Sequence, residues 1–335
     1  MVCFLVYLPM NRDIALDRLK GIAVILMVIS HVWLFQIPDG DTLSSIDLAI
    51  FLASRLCAPI FVFSFALVLT SKRNLTAVIK RSGYVLIAAI FLSLMMLAMT
   101  VAPYSVHILY VLALVSVLVP MLHKLSSKTC LALTASLFAV QTLFNLNVID
   151  APGLSLYLYG GELSSRLGLS FGVLTLMPYM FMGMYCYKVG EDYLALTTSK
   201  LSLGFLLAGI IIFIAEAYYP KTDSIYAMAG MNMMLISACL YLYHKLKNVP
   251  EMDSLLLPFG RHVLLVYLLH HFILFTVVIS LGGAIQYGSM MKGEYVVRYS
   301  DAYLLLTSVL LLGLCHYVIS ALEHKNYRTK IKEAL

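Results

Sequence analysis

A histidine and an arginine lie in segments apolar enough to sit inside a bilayer. His31 falls within Gly21–Ile37, and Arg55 within Ile46–Thr70. A charged side chain near the bilayer centre costs at least ~2.5–3.5 kcal/mol on insertion scales, so it is kept where it faces the protein interior or a wet cavity. A neutral imidazole, with a pKa of about 6.5 in water, accepts a proton from a hydroxyl or amine at neutral pH. A permanent guanidinium close by stabilises the oxyanion that develops during acyl transfer. The competing structural reading has His31 donating to a backbone carbonyl and Arg55 tying two helices together.

Other polar groups are placed to join them. His107 opens the fourth apolar run. The ninth contains Phe259-Gly260-Arg261-His262 and then Tyr267, His270 and His271. Tyr267 and His270 are one turn apart on one helical face. Adjacent histidines diverge around a helix, so at most one of His270 and His271 is expected to face a shared cavity. An i, i+1 pair is also poor ligand spacing for zinc, and the sequence is read as holding no metal. Glu216 lies near an outer helix end, where it is expected to snorkel to water. His316 reads as a satisfied core histidine. On the opposite side of the membrane, Arg18, Lys20 and the pairs Lys72-Arg73 and Lys80-Arg81 suit the phosphates of an anionic cofactor. Ordinary positive-inside charge is the plainer reading of them.

The elements that must position these groups follow from composition. Of 335 residues, 61% are hydrophobic and 12% charged, against about 25% charged in a soluble domain. The mean hydropathy is +0.92. Apolar runs near the ~20 residues that span a bilayer recur along the chain. The fold class is all-α, a polytopic transmembrane helical bundle of about ten spans, without the alternating short segments of a β-barrel. The expected limits are 18–37, 46–70, 83–101, 107–123, 129–148, 172–188, 201–219, 226–244, 259–281 and 302–322. Pro178 is expected to kink the sixth.

With the N-terminus in the cytoplasm, eighteen Lys and Arg residues fall inside and only Arg166, Lys221, Lys292 and Arg298 outside. The positive-inside rule therefore puts both termini in the cytoplasm. His31 then lies six residues from the outer end of its span, roughly 9 Å along the axis. Arg55 lies at similar depth on the next, antiparallel span. Residues 1–17 form a short cytoplasmic segment, 18–322 the transmembrane domain and 323–335 a basic cytoplasmic tail. Met1–Met10 lacks the features of a removable targeting segment. The net charge of +6 suits an anionic inner leaflet, with membrane lipids rather than nucleic acid as partner. The six cysteines show no metal spacing and read as reduced packing residues.

At these residues the chain resembles the acyltransferase-3 and heparan-α-glucosaminide N-acetyltransferase-like superfamily of membrane acyltransferases. Asp17-Arg18-Leu19-Lys20-Gly21-Ile22-Ala23 followed by His31 resembles the family's opening Asp-x-x-Arg-Gly-(Ile/Leu)-Ala, apolar helix and histidine. Pro59-Ile60-Phe61-Val62-Phe63-Ser64 is similar to its Pro-x-Phe-x-x-Ser-Gly segment. Met177-Pro178 through Gly183-Met184 looks like its Pro…Gly-Met helix, and Gly260 to His270 like its Gly-Arg-His…Tyr-Leu-x-His helix. Lys20 stands where the family has arginine, and Phe65 where it has glycine. A pilin-acetylase-like branch shares the first helix, so the subfamily stays open.

The resemblance implies transfer of an acyl group, most often acetyl from cytoplasmic acetyl-CoA, to a hydroxyl or amine of an extracytoplasmic acceptor. Acceptors in the family are usually cell-surface carbohydrates. It implies His31 as general base or acyl relay and Arg55 as oxyanion or thioester-carbonyl partner. Lys20, Arg73, Lys80 and Arg81 become CoA-facing charges, and His107, Tyr267 and His270 substrate-facing or structural polar groups. The rival class is a transporter or flippase for an anionic or glycan-lipid substrate, which should show broken helices. A third reading is a scaffold subunit.

Overall fold

The computed structural model describes residues 13–34, 45–70, 75–100, 108–146, 148, 173–218, 229–280 and 301–334. Every element among them is helical. In chain order these are α1 (Ile14–Leu34), α2 (Ser45–Ser54), α3 (Cys57–Thr70), α4 (Leu75–Thr100), α5 (Ile108–Met121) and α6 (Ser127–Asn145). Then come α7 (Val173–Val189), α8 (Glu191–Tyr218), α9 (Ala229–Lys245), α10 (Asp253–Arg261), α11 (Val263–Ser280) and α12 (Asp301–Ala334). Two short 3-10 turns, Leu246–Asn248 and Pro250–Met252, lead into α10. The described part of each apolar run is thus helical, with two of the runs divided between two helices. Among the described residues, three helical stretches are by themselves long and apolar enough to cross a membrane: Ser127–Asn145, Ser199–Glu216 and Tyr303–His324. A bent pair, Pro250–Arg261 with Val263–Leu274, makes a fourth if counted as one span.

Two interruptions have a local cause or a local consequence for the site. The run expected over 46–70 is two helices, with Arg55 and Leu56 in a turn between them. Pro59 explains the position: it has no N–H to offer the carbonyl four residues back, which is that of Arg55, and its ring crowds that carbonyl. The ninth run, expected as one span over 259–281, likewise begins inside α10 and breaks at His262, where α10 meets α11 at 77°. Pro178, by contrast, sits inside α7 without ending it. Gly190 separates α7 from α8 with a φ of +78°, a left-handed conformation that favours glycine. The expected basic tail continues α12 as helix to Ala334.

The chain divides into two compact units, residues 1–57 with 246–335, and residues 58–245. In the first, α1 is the central helix, with α2, α10, α11 and α12 packed around it. Its Leu19, Ala23, Val24 and Val28 are completely buried. The crossing of α1 and α10 is backbone on backbone. A Cβ on Gly21 would fall on the Leu256 carbonyl, and one on Gly260 on the Asp17 carbonyl. Small residues at such crossings let helices approach closely where lipid provides no hydrophobic drive. The base of α1 is clamped by Arg18. Its Nε and Nη2 donate to the two carboxylate oxygens of Asp253 at 2.5 and 3.0 Å. Its Nη1 donates to the carbonyls of Leu246 and Lys247 at 2.5 and 3.1 Å.

In the second unit, α8 and α9 cross at Gly209 and Gly230, and Tyr179 donates from its hydroxyl toward Asn232 at 3.0 Å. Glu216 does not snorkel. It is 1% exposed and accepts from Asn145 Nδ2 at 2.6 Å and from the Ala229 and Gly230 amides at 3.0 Å. Those two amides open α9, whose first turn has no intrahelical acceptors, so the carboxylate caps it. Glu216→Ala strands these donors, at about 1–3 kcal/mol for each left unmet. The expected result is a clear fall in the detergent-solubilised melting midpoint; an unchanged midpoint would show the cap to be dispensable.

Candidate active site

His31 lies in the last turn of α1, half-buried, and α11 brings two imidazoles to it. His31 Nδ1 and His270 Nε2 are 2.8 Å apart. The His31 ring stacks on that of His270 with centroids 5.1 Å apart and meets that of His271 edge-on at 4.8 Å. Tyr267 packs its ring against both, at 5.6 Å from His270 and 4.6 Å from His271. The expectation that only one of the adjacent histidines faces the cluster is therefore corrected. Neighbours on a helix point about 100° apart, so a side chain placed near the bisector of that angle meets both.

The hydrogen bonds fix the tautomers. His270 Nδ1–H donates to the Val266 carbonyl at 2.7 Å, and His271 Nδ1–H to the Tyr267 carbonyl at 2.8 Å. A carbonyl can only accept, so both neutral rings carry their lone pair on Nε2. The 2.8 Å contact is then donated by His31 Nδ1–H to His270 Nε2. His31 Nε2 is left as the basic atom. The series carbonyl, His270, His31 holds the imidazole in one orientation, as a nucleophile or base is oriented by a third group in other acyl-transfer sites.

Arg55 is half-buried at the break between α2 and α3, with α2 packed on α1. Lys20 is paired with buried Asp17 at 2.6 Å, an i, i+3 contact within α1. Lys80 is exposed on α4, and Arg81 follows it on that helix, its side chain outside the described residues. Arg73 and His107 also lie outside them. His31, Tyr267 and His270 are thus brought together as a group. His271 joins them, and Arg18, expected to face cofactor phosphates, is instead held by Asp253 and the Leu246 and Lys247 carbonyls. His271 stands one turn after Tyr267, a signal that was present; no sequence pattern announces Asp253 as a partner for Arg18. His262 stands at the corner before α11, its Nε2 3.0 Å from Glu323. His316 lies 3.4 Å from the Ser254 carbonyl. The five described cysteines are free and buried. The Ser64 hydroxyl is completely buried, with no hydrogen-bond partner among the described residues.

The sequence model of the acyltransferase-3 family, described as an acyltransferase domain, matches residues 13–322. The chain belongs to the acyltransferase-3 family. The match runs from the start of α1 through the apolar part of α12 and takes in every member of the imidazole cluster. No curated protein matches the chain. The acyltransferase-3 chain is a membrane protein built of helices; among the described residues the helices break at Arg55–Leu56 and at His262, a feature that the transporter reading also anticipates.

Proposed function

We propose that this acyltransferase-3 protein moves an acetyl group from cytoplasmic acetyl-CoA to a hydroxyl or amine of an extracytoplasmic carbohydrate. The observation that supports the reading is the His31–His270 contact, with His270 pinned by its own backbone carbonyl. His31 Nε2 takes the acceptor's proton as the acceptor oxygen or nitrogen attacks the thioester carbonyl. The carbonyl carbon to sulfur bond then breaks, and coenzyme A leaves as the thiol once the proton is returned to it. Through the transfer, His31 keeps donating from Nδ1 to His270 Nε2, so the imidazolium is formed already oriented. Arg55 serves as the cation for the oxyanion. Lys20, Arg73, Lys80 and Arg81 meet the phosphates of the donor from the cytoplasmic side.

This reading uses the topology of about ten spans with both termini in the cytoplasm of an inner-membrane protein. It accounts for basic residues on one side and the histidine in the outer half of α1. Its test is mass spectrometry of surface glycans from cells with and without the protein, together with transfer from labelled acetyl-CoA by purified protein. A glycan acetyl group lost with the gene and restored by it is the expected result. Unchanged glycans and no release of labelled acetate or product would overturn it.

A further inference from the structure

The three imidazoles have a second chemistry. One nitrogen from each of His31, His270 and His271 lies within 4.8 Å of the other two. The rings of His270 and His271 are both held by Nδ1–H bonds to backbone carbonyls. That is the outer support usual for metal-bound histidines, which fixes the ring and leaves Nε2 as ligand. The sequence reading set metal aside because adjacent histidines on one helix make poor ligands by themselves. The third ligand comes from α1, which chain spacing does not reveal.

We propose that His31, His270 and His271 bind a divalent transition ion that prefers imidazole, Zn²⁺ being the type case, and that the bound ion holds the enzyme inactive. Binding rests on the geometry alone; inactivation rests on reading His31 as the base. Tetrahedral coordination at about 2.0–2.1 Å puts nitrogens roughly 3.3 Å apart. The widest edge must therefore close by about 1.5 Å, and the 2.8 Å bond between His31 and His270 must open. His31, the least buried of the three, makes that adjustment. His270 Nε2 cannot accept the hydrogen bond from His31 and ligate an ion together, so the bound ion and the oriented base exclude one another. Three protein ligands leave a fourth position for water. Among the described residues no carboxylate joins the group to neutralise the ion, which makes the site reversible rather than structural.

The test uses the full chain in detergent after chelator treatment. Titration calorimetry with ZnCl₂ and visible absorption of added Co²⁺ report binding without any turnover. One ion per chain with four-coordinate Co²⁺ bands is expected. His271→Ala should weaken it at least about 10-fold, and His316→Ala should leave it unchanged. A wild-type-only measurement guards against variants that do not assemble: Zn²⁺ should protect His31, the half-buried member of the three, from diethyl pyrocarbonate and leave exposed His123 open. No saturable binding, or binding and protection that ignore the three histidines, overturns the site. In the transfer assay Zn²⁺ should inhibit and a chelator restore activity. Binding at the three histidines with transfer unchanged or stimulated overturns inactivation and the base role of His31 while leaving the metal site standing. Inhibition without binding at the cluster overturns the site and leaves the acyltransferase reading intact.

Discussion

His31→Ala is expected to remove acyl transfer while the protein still assembles in the membrane. Loss of a positioned general base typically costs about 10²–10⁴-fold in rate. The deletion also removes the donor to His270 Nε2, whose ring stays held by its Nδ1–H bond to the Val266 carbonyl. Little of the fold depends on the ring, because the packing of α1 comes from Leu19, Ala23, Val24 and Val28. The loss should therefore appear in kcat with the elution profile and melting midpoint near wild type. Single-turnover transfer from labelled acetyl-CoA is the measurement. Wild-type turnover in purified His31→Ala would take His31 out of the mechanism.

Gly260→Val is the opposite kind of change, with its large effect on assembly. A Cβ at this position falls on the Asp17 carbonyl, a backbone atom of the helix α10 crosses. Nothing there can rotate away, so α10 must lift from α1 and the Arg18–Asp253 clamp beside it must stretch. Overpacking costs typically 1–3 kcal/mol where side chains can adjust, and about 3 kcal/mol or more is expected against backbone. The fraction of monodisperse protein surviving a heating step should collapse. Gly313→Ala is the control: its Cβ would meet nothing within 4 Å, and alanine in a helix interior gains up to about 1 kcal/mol over glycine. A Gly260→Val protein as heat-resistant as wild type would disprove the tight crossing.

The helices were legible because apolar length announces them, though the 46–70 and 259–281 runs each divide between two. Their interruptions were less so. Pro59 stands four residues after Arg55, and that offset, read with the missing N–H in mind, locates the turn at Arg55–Leu56. The corner at His262 has no comparable mark. Lys20 with Asp17 is a local i, i+3 pair that spacing alone suggests. The clustering of His31 with His270 was reachable only through the family resemblance, since hydropathy does not say which helices touch. His271 was discounted by a rule about one helix that the second helix overrides. Glu216 is a similar case: its partners belong to the start of α9 and the end of α6, and only packing brings those amides to it.

The separation of His31 from His270, 239 residues, has a consequence for biogenesis. At about 5–20 residues per second of synthesis, α1 waits roughly 10–50 s before its partner helix leaves the ribosome. Throughout that interval Arg18 has neither Asp253 nor the Leu246 and Lys247 carbonyls, and the Gly21 face has no α10 to cover it. An emerging α1 must therefore be chaperoned in the translocon or rest shallowly at the lipid headgroups until the C-terminal third arrives. Nascent chains stalled before Asp253 should be the ones quality-control proteases recognise.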